Sequence, residues 1–417
     1  SSSNGLEKRP KLRFPGFDEP WNTALLSDYF VKSTKKNSDG MISNVICNSA
    51  KQGLIPQREY FDKDIANSDN TNGYYIIESN DFVYNPRKSA DAPYGPISSY
   101  QYPEAGIVSP LYLCFRAKRE INPLYFEWYF RSSAWHRYIY MSGDSGARHD
   151  RVSIKDDVFF AMPINVPSAK EQERISLFLD AIERRIETQR TLVETLKKYK
   201  RGLSDTLFDR IAQSPSCKIV KLGDAFELLQ NNTFSRDDLT TNPSSVQNIH
   251  YGDVLVKYGA VVNISEDTPP YIKPTIDLQK FVATSYLRDG DIVFADTAED
   301  YSVGKATEIA GANGLAVLSG LHTIPCRPLM KFHPMYLAYY FNSSLFRRQI
   351  YPLVQGTKVS SISKGELVKT SVYAPTEREQ RRIASMLYLL DLRITFEEKT
   401  VNSLTNARTA LLQQLFI

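Results

Sequence analysis

The chain has 417 residues, of which 42 % are hydrophobic and 24 % charged, and its formal net charge is +4. This length allows two to four domains, and the composition is that of an ordinary soluble protein. A charge this close to balance permits nucleic-acid binding only through a local basic patch. No run of 18 apolar residues occurs, so no membrane span is expected.

The amino-terminal residues and the cysteines indicate the cellular compartment in which the chain is expected. Residues 1–5 lack a basic region followed by an apolar core, so no signal peptide is expected there. The four cysteines lie far apart without a CxxC pair, which fits a reducing compartment and argues against a disulfide scaffold or a zinc site. The five histidines are scattered without metal-ligand spacing. The many tyrosines and phenylalanines indicate large cores, with a stacking role as the alternative.

Two globular segments are predicted in chain order, at about 21–163 and 219–372. Strand-like runs occur in the first at 74–77, 81–84 and 111–115, and in the second at 253–256, 291–294 and 315–318. One amphipathic helix is predicted in each segment, at 123–140 and at 334–351.

The carboxyl-terminal parts of the two segments are repeated in the sequence. Residues 167–208 recur without a gap as residues 375–416, and 13 of the 42 aligned positions are identical, against about two or three by chance. A weaker match joins Tyr-Phe-Arg-Ser-Ser at 129–133 to Tyr-Phe-Asn-Ser-Ser at 340–344. The chain is therefore two copies of one unit, each a globular part followed by a long helix. The middles diverge, which fits either different targets or neutral drift.

Both repeated helices carry a heptad seam. Its apolar residues are Ile175, Leu179, Ile182, Ile186, Val193, Leu196, Leu203 and Leu207 in the first copy, and Ile383, Leu387, Leu390, Ile394, Val401, Leu404, Leu411 and Leu415 in the second. Polar residues interrupt it at Gln189 and Lys200, equivalent to Glu397 and Arg408. We expect an antiparallel coiled coil within the chain, in which Gln189 and Glu397 fix the register; the alternative is a helix lying on its own domain.

A proline is predicted to open each helix, followed by a capping box. The residues concerned are Pro167, Ser168 and Glu171 in the first copy and Pro375, Thr376 and Glu379 in the second. About 40 residues make a rod of about 60 Å, which is suited to hold two domains at a fixed distance.

The order of these segments resembles that of type I restriction–modification specificity subunits. A variable domain precedes a P-x-x-x-E-Q-x-R-I segment that opens a heptad helix, and the same pair follows again. Further matching stretches are RFPGF at 13–17, LRDGDIV at 287–293 and GTKVSSI at 356–362. The resemblance covers essentially the whole chain. It implies an α+β fold with two α/β target-recognition domains, 1–166 and 211–374, separated by spacer helices, 167–210 and 375–417, in an antiparallel, pseudo-two-fold coiled coil.

The resemblance also implies a function and partners. Each domain would read one half of a bipartite site in double-stranded DNA, while the helices set the gap and bind two methyltransferase subunits. Motor-nuclease subunits would complete the complex in the prokaryotic cytoplasm, without a membrane. The chain itself would be non-catalytic and bind no cofactor or metal, with S-adenosylmethionine, ATP and Mg on the partner subunits only.

Two polar loops, 142–151 and 355–361, are the candidates for phosphate contacts, because glycine lets backbone N–H groups approach and cations and hydroxyls complete the contact. Their candidate residues are Gly146, Arg148, Arg151, Gly356, Lys358, Ser360 and Ser361. Candidate base contacts in the divergent middles are Arg87, Lys88, Tyr94, Ser98, Ser99, Tyr100, Tyr301, Ser302 and Lys305. The alternative for each is an ordinary solvated loop.

Motifs for catalysis are missing from the sequence. Neither an NPPY-type motif for a flipped adenine nor a GxxxxGK[ST] phosphate loop occurs. Two other hypotheses stay open: a coiled-coil assembly protein with two ligand-binding domains and no DNA preference, and a DNA-modifying enzyme with an unrecognised site.

Overall fold

The structure, a computed structural model, describes residues 9–60, 71–143, 150–356 and 358–416. The chain forms two compact units: unit 1 comprises Ser1–Arg190 with Lys399–Ile417, and unit 2 comprises Thr191–Glu398. Both units mix helices and strands. In the part of the chain that is described, no helix is long and apolar enough to cross a membrane.

Unit 1 contains short strands and helices ahead of a long helix, α6 (Ala169–Gln213), which continues into unit 2. Its strands are β1 (Asn22–Leu25), β2 (Phe30–Lys32), β3 (Ile46–Ser49), β4 (Gly53–Pro56), β5 (Tyr75–Ile77), β6 (Phe82–Tyr84), β7 (Ile97–Ser99), β8 (Gly106–Val108), β9 (Leu113–Ala117) and β10 (Pro163–Val166). Its short helices are α1 (Leu26–Tyr29), α2 (Gln57–Tyr60), α3 (Pro123–Arg131), α4 (His136–Ser142) and α5 (Asp156–Phe160).

The main sheet of unit 1 is antiparallel, in the order β2-β9-β6-β7. Aromatic side chains fill the space between this sheet and α3. Phe30 contacts the rings of Phe82, Phe115 and Phe126, with centroids 5.0–5.3 Å apart. Burying each such side chain contributes about 1.5–3 kcal/mol. The abundant phenylalanines therefore serve the core here, as the composition indicated.

Unit 2 repeats this plan and contains the start of the second long helix, α13 (Glu377–Leu415). Its strands are β11 (Lys218–Lys221), β12 (Phe226–Leu228), β13 (Leu239–Thr240), β14 (Gln247–Ile249), β15 (Val261–Asn263), β16 (Tyr271–Ile272), β17 (Ile292–Ala295), β18 (Thr297–Ala298), β19 (Ala306–Ala310), β20 (Val317–Ser319), β21 (Thr323–Pro328), β22 (Ser360–Ser361) and β23 (Ser371–Ala374). Its short helices are α7 (Leu222–Ala225), α8 (Tyr251–Val256), α9 (Ile264–Asp267), α10 (Tyr336–Phe341), α11 (Ser344–Ile350) and α12 (Lys364–Leu367).

The main sheet of unit 2 has five strands in the order β12-β21-β17-β19-β15, and a second sheet has the order β13-β16-β14-β20. The rings of Phe294, Phe341 and Phe346 pack between the larger sheet and α10–α11. We call the part of unit 1 before α6 (residues 9–168) head 1, and the part of unit 2 between α6 and α13 (residues 214–376) head 2.

Each domain helix predicted from the sequence is a pair of helices instead, α3 and α4 in unit 1 and α10 and α11 in unit 2. The break falls at equivalent serines: the hydroxyls of Ser132 and Ser343 donate to the carbonyls of Tyr129 and Tyr340, both at 2.6 Å. A hydroxyl that bonds the preceding turn competes with continuation of the helix. Ser343 then caps α11 by accepting from the N–H of Phe346. The repeated Tyr-Phe-x-Ser-Ser segment thus encodes a helix end.

The strand predicted at 253–256 is wrong, because these residues lie in α8. The side chain of His250 caps this helix by accepting from the N–H of Gly252 at 3.1 Å. The carboxylate of Asp253 pairs with Arg236 at 2.9 Å. A short apolar run does not distinguish strand from helix by itself. The other five predicted strands are confirmed within two residues as β5, β6, β9, β17 and β20.

The long helices begin two residues after the predicted prolines, which lie outside the helix. The reciprocal capping box forms in α13, where the N–H and hydroxyl of Thr376 donate to Glu379 at 2.9 and 2.7 Å. In α6 the predicted box is incomplete, because the carboxylate of Glu171 instead accepts two bonds from Arg13, at 2.7 and 2.8 Å. The amino-terminal segment therefore anchors to the start of α6.

Within each unit, the start of one long helix lies beside the end of the other. In unit 1 the start of α6 shares a core cluster with the end of α13, and in unit 2 the end of α6 shares one with the start of α13. The two segments in each unit are therefore antiparallel. Of the predicted seam residues, Ile175, Leu179, Ile186, Gln189, Val193, Ile383, Leu387, Ile394, Glu397 and Leu415 are buried and the others are partly buried.

Ion pairs join the helix segments inside each unit. In unit 1 Arg408 donates to Glu183 at 2.5 Å, and in unit 2 Lys200 donates to Asp391. These four positions are related by the 208-residue offset of the repeat. The two polar seam positions predicted from the sequence at Lys200 and Arg408 are therefore paired across the seam in the same way in both units. The pairing of Gln189 with Glu397 stays a prediction.

Candidate nucleic-acid interface

In each head, the segment that follows a central strand pairs with the segment that follows the helix pair; we call these two paired segments the loop pair. In unit 1 the loop pair is 86–88 with 150–152. The backbones of Arg87 and Arg151 form an antiparallel β-bridge. The N–H of Lys88 donates to the carbonyl of Asp150 at 2.8 Å, and the N–H of Val152 donates to the carbonyl of Pro86 at 2.9 Å. The fold thus brings together three predicted site residues, Arg87, Lys88 and Arg151.

The unit 1 loop pair lines an open cleft of about 860 Å³. Four cations line it with a single carboxylate among the described residues: Lys51, Arg87, Lys88 and Arg151 with Asp91. Lys51 is 3.5 Å from Asp91, and the carboxylate of Asp150 is 3.9 Å from Arg151. The Nε of Arg151 is buried and has no hydrogen-bond partner within the described ranges. The cleft is therefore electropositive.

Three other candidates in head 1 are buried and bonded to protein, so their prediction as base contacts is corrected. The hydroxyl of Ser98 donates to Asn48 at 2.9 Å, that of Ser99 donates to Glu127 at 2.6 Å, and that of Tyr100 donates to the carbonyl of Glu104 at 2.9 Å. All three side chains lie in or beside β7, where the sheet covers them.

The remaining candidates of head 1 are partly buried or lie outside the residues that the structure describes. Tyr94 is half-buried against His136, with ring centroids 4.9 Å apart. It precedes Gly95, whose φ of +82° and close approach to the carbonyl of Asn85 require glycine. Gly146 and Arg148 lie outside the described residues.

The loop pair of unit 2 consists of β18 and β22, with Thr297 opposite Ser361 and Ala298 opposite Ser360. Gly356, which precedes β22, has φ +104°, and an added Cβ there would lie 2.0 Å from the carbonyl oxygen of Val359. This approach explains why the loop needs glycine at 356.

A second cleft, of about 510 Å³, opens beside this loop pair. It brings Tyr301, a predicted base contact, together with Gly356 and Ser360 of the loop predicted to contact phosphate. Tyr301 is 85 % exposed, and Lys358 and Ser361 are exposed nearby in sequence. Exposed aromatic, cationic and hydroxyl groups on one loop surface are the types that contact nucleic acid.

Arg347 braces this surface and was not singled out from the sequence. Its guanidinium donates to the carbonyl of Val303 at 2.6 Å and to that of Tyr301, and it lies 5.2 Å from the ring centroid of Tyr351. In the sequence, Arg347 is only an arginine on the polar side of the second predicted domain helix. Many surface arginines have such a position, so it did not indicate a role. Arg347 therefore positions the exposed Tyr301 through its backbone.

Two neighbours of Tyr301 have internal partners. Ser302 donates its N–H to Asp300 at 2.8 Å, and hydrogen bonds from Ser302 lower the pKa of that carboxyl. The ammonium of Lys305 donates to the carbonyls of Leu255 and Tyr258, at 2.8 and 3.2 Å, and its burial lowers its pKa. Lys305 thus satisfies the carbonyls at the end of α8, which corrects its prediction as a base contact.

The strand before each loop pair is fixed by an equivalent ion pair in which the aspartate is buried and the arginine partly exposed. Asp81 accepts two bonds from Arg116, at 2.6 and 2.7 Å, and Asp291 accepts two from Arg327, at 2.9 and 2.6 Å. Both aspartates are 1 % exposed. Bidentate pairs of this kind define geometry tightly. Equivalent ion pairs therefore support the two loop pairs, whose own residues differ.

No group of three or more His, Cys, Asp or Glu residues in the described ranges could hold a metal ion.

Solved structures with the same fold come from type I R-M systems. One, from a study of complex assembly and conformational transition of the type I R-M system, has a TM-score of 0.59 at 17 % identity and covers 96 % of this chain and 98 % of its own. The type I restriction-modification system S subunit from M. genitalium has a TM-score of 0.52 at 14 % identity, covering 98 % and 99 %. The HsdS subunit from Thermoanaerobacter tengcongensis has a TM-score of 0.50 at 18 % identity, covering 97 % and 97 %. No family model and no curated protein matches the chain.

Proposed function

We propose that this chain is the DNA-sequence-recognition subunit of a type I restriction–modification complex. The observation that carries the proposal is the duplicated loop pair, set on a fold shared with solved type I R-M structures over nearly the whole chain. Each head reads one half of a bipartite duplex site. The two loop pairs differ in side chains, which suits two different half-sites.

The two surfaces bind by different mixtures of contacts. Arg87, Lys88 and Arg151 of unit 1 neutralise phosphates and release counterions, so their contribution falls with salt. Tyr301 and Lys358 of unit 2 combine an exposed ring with one cation. Phosphate contacts position each head, and contacts to base edges specify the sequence.

The long helices set the distance between the half-sites. In this proposal α6 and α13 form one antiparallel coiled coil, related by a pseudo-two-fold axis, and the ion pairs Arg408–Glu183 and Lys200–Asp391 hold its register. Half-sites read from one face of DNA lie about 34–36 Å apart, which helices of 45 and 39 residues are long enough to span.

The chemistry of the complex belongs to its partners. Two methyltransferase subunits bind the helices and carry S-adenosylmethionine, and motor-nuclease subunits carry ATP and Mg. The chain itself recognises DNA and catalyses no step. The support for this division is the sequence, which has neither an NPPY-type motif nor a phosphate loop.

A competition gel-shift tests the proposal, once methylome sequencing has identified a site. The chain, with its methyltransferase subunits, is bound to a labelled duplex and competed with duplexes in which the left half, the right half or only the gap is scrambled. Scrambling either half should weaken competition, and scrambling the gap at constant length should not. Equal competition by all duplexes would refute sequence recognition.

A further inference from the structure

The end of the helix pair in each head contains a short repeat. Residues 129–140 and 340–351 align without a gap, and 7 of the 12 positions are identical. The identical residues are, in order, Tyr, Phe, Ser, Ser, Arg, Ile and Tyr. Because the two heads are proposed to read different half-sites, residues that both heads keep serve either the fold or a task common to both.

Most of the identical residues serve the fold. Four positions are buried in both heads: Tyr129 and Tyr340, Phe130 and Phe341, Ser132 and Ser343, and Ile139 and Ile350. Two positions are instead exposed in both heads, occupied by Arg137 and Tyr140 in head 1 and by Arg348 and Tyr351 in head 2; we call these two residues the Arg-Tyr pair of each head. Tyr140 is 73 % exposed and Tyr351 50 %. Core packing therefore does not explain why both heads keep the Arg-Tyr pair.

In head 2 the Arg-Tyr pair has contacts within the protein. The ring of Tyr351 lies 6.5 Å from the ring of Tyr301 and 5.2 Å from the guanidinium of Arg347. Arg348 donates to the carboxylate of Asp209 at 2.8 Å, but both side chains are about half exposed. An ion pair this exposed is weak, and most of the five N–H groups of the arginine stay available.

These contacts are not repeated in head 1. The residue equivalent to Arg347 is His136, whose ring contacts Tyr94 and Trp135 instead. Among the residues that the structure describes, Tyr140 has no ring contact and Arg137 has no ion pair. The two heads therefore share the Arg-Tyr pair and its exposure, but no internal contact that would account for it.

Both Arg-Tyr pairs lie beside the loop pair of their own head. In head 2, Tyr351 lines the cleft of about 510 Å³ together with Ser360 of β22. In head 1, α4 ends at Gly143, three residues after Tyr140, and a Cβ added to this glycine would lie 3.4 Å from Cγ1 of Val152 in the loop pair. The exposed arginine and tyrosine are therefore continuous with the candidate nucleic-acid interface of each head.

We propose that the Arg-Tyr pair of each head binds a phosphate of the DNA backbone, whatever the base sequence. Arginine and tyrosine are among the side chains that donate to phosphate oxygens. Residues three apart on a helix lie on one face, so the guanidinium and the hydroxyl can reach the same phosphodiester. The inference rests on the proposed function and extends it: contacts that both heads share hold any duplex, and loop residues that differ between the heads read the bases.

Fluorescence anisotropy of the full-length chain with its methyltransferase subunits tests the proposal on two duplexes of equal length, one carrying the recognised motif and one random. Tyr140→Phe and Tyr351→Phe each remove one hydroxyl and keep the ring. Each should raise the dissociation constant about tenfold for both duplexes, as loss of a hydrogen bond to a charged group does. Arg137→Gln and Arg348→Gln should each lower the salt slope by about one, again on both duplexes.

Tyr199→Phe is the matched control, because Tyr199 is an exposed tyrosine on α6, outside both heads. It should leave both dissociation constants unchanged, and circular dichroism checks that every variant folds. A loss confined to the motif duplex, a loss in one head only or unchanged binding in the folded variants would overturn this inference and leave the proposed function standing. If the unaltered complex bound neither duplex, the proposed function would fail and this inference with it.

Discussion

Glu308 makes the stability of unit 2 dependent on pH. It lies on β19 and is 5 % exposed. Its two carboxylate oxygens accept from the N–H groups of Met335, at 2.7 Å, and Ala338, at 3.1 Å. No cation pairs with it among the described residues. Burial therefore outweighs the two hydrogen bonds and raises its pKa from 4.5 to about 7.

The sign and size of the effect come from this shift. Because the pKa in the folded state lies above that in the unfolded state, protonation favours folding. The stabilisation is fully present below about pH 4.5 and is lost as the pH rises through about 7. One pKa unit corresponds to about 1.4 kcal/mol, so about 3 kcal/mol of unfolding free energy should be lost across this window, as an order of magnitude.

Glu308→Gln should remove this pH dependence, because the amide stays neutral like the protonated acid. The NH2 group of Gln cannot accept from one of the two backbone N–H groups, so near pH 5 the variant should be less stable than the unaltered chain by about 1–3 kcal/mol. Between pH 5 and pH 8 the variant should gain about 3 kcal/mol relative to the unaltered chain. Native-state hydrogen exchange of the Met335 and Ala338 amides, corrected for intrinsic rates, reports on unit 2 directly. Glu266→Gln, an exposed carboxylate in the same unit, is the control. If Glu308→Gln and the unaltered chain had the same pH profile, Glu308 would not be the titrating group.

Three further predictions test the loop pairs and the helices. Arg151→Ala should weaken binding to all duplexes and lower the salt slope by about one, measured by fluorescence anisotropy; a loss for one sequence only would make Arg151 a base contact instead. Gly356→Ala should lower the free energy of unfolding in urea by about 1–3 kcal/mol, because of backbone strain. Gly202→Ala, in open space on α6, should raise it by up to about 1 kcal/mol. Equal effects of the two substitutions would contradict the strained backbone at Gly356. In a double-mutant cycle, R408E and E183R together should recover most of the roughly 0.5–1 kcal/mol that each loses alone, and strictly additive losses would show that the pair does not interact.

The long helices and the duplication were predictable because their signals are local and periodic. A heptad pattern repeated at a fixed offset specifies a helix and its buried face, whatever surrounds it. The same holds for β6 and β17, each a compact apolar run beside a turn. The pairing of Arg408 with Glu183 was not predicted, although the polar seam position was, because the partner depends on the register of a second helix.

Contacts between distant segments could not be read in the same way. Ser99 and Lys305 have polar side chains typical of surface loops. Ser99 is nevertheless buried and bonded to Glu127, and Lys305 is half-buried and bonded to the carbonyls of Leu255 and Tyr258. The helix break at Ser132 depends on a hydroxyl bonding one turn back, which a periodicity count ignores.

The proposed recognition by two heads on a helical spacer is best tested by the methylome of cells that carry this chain with its proposed partner subunits. We expect modification at one bipartite motif, two specified half-sites around a gap of fixed length. Inserting about four residues, roughly one turn, into both α6 and α13 should lengthen the gap and leave both half-sites unchanged. A continuous motif, or a gap that does not change with the helices, would rule out this mode of recognition.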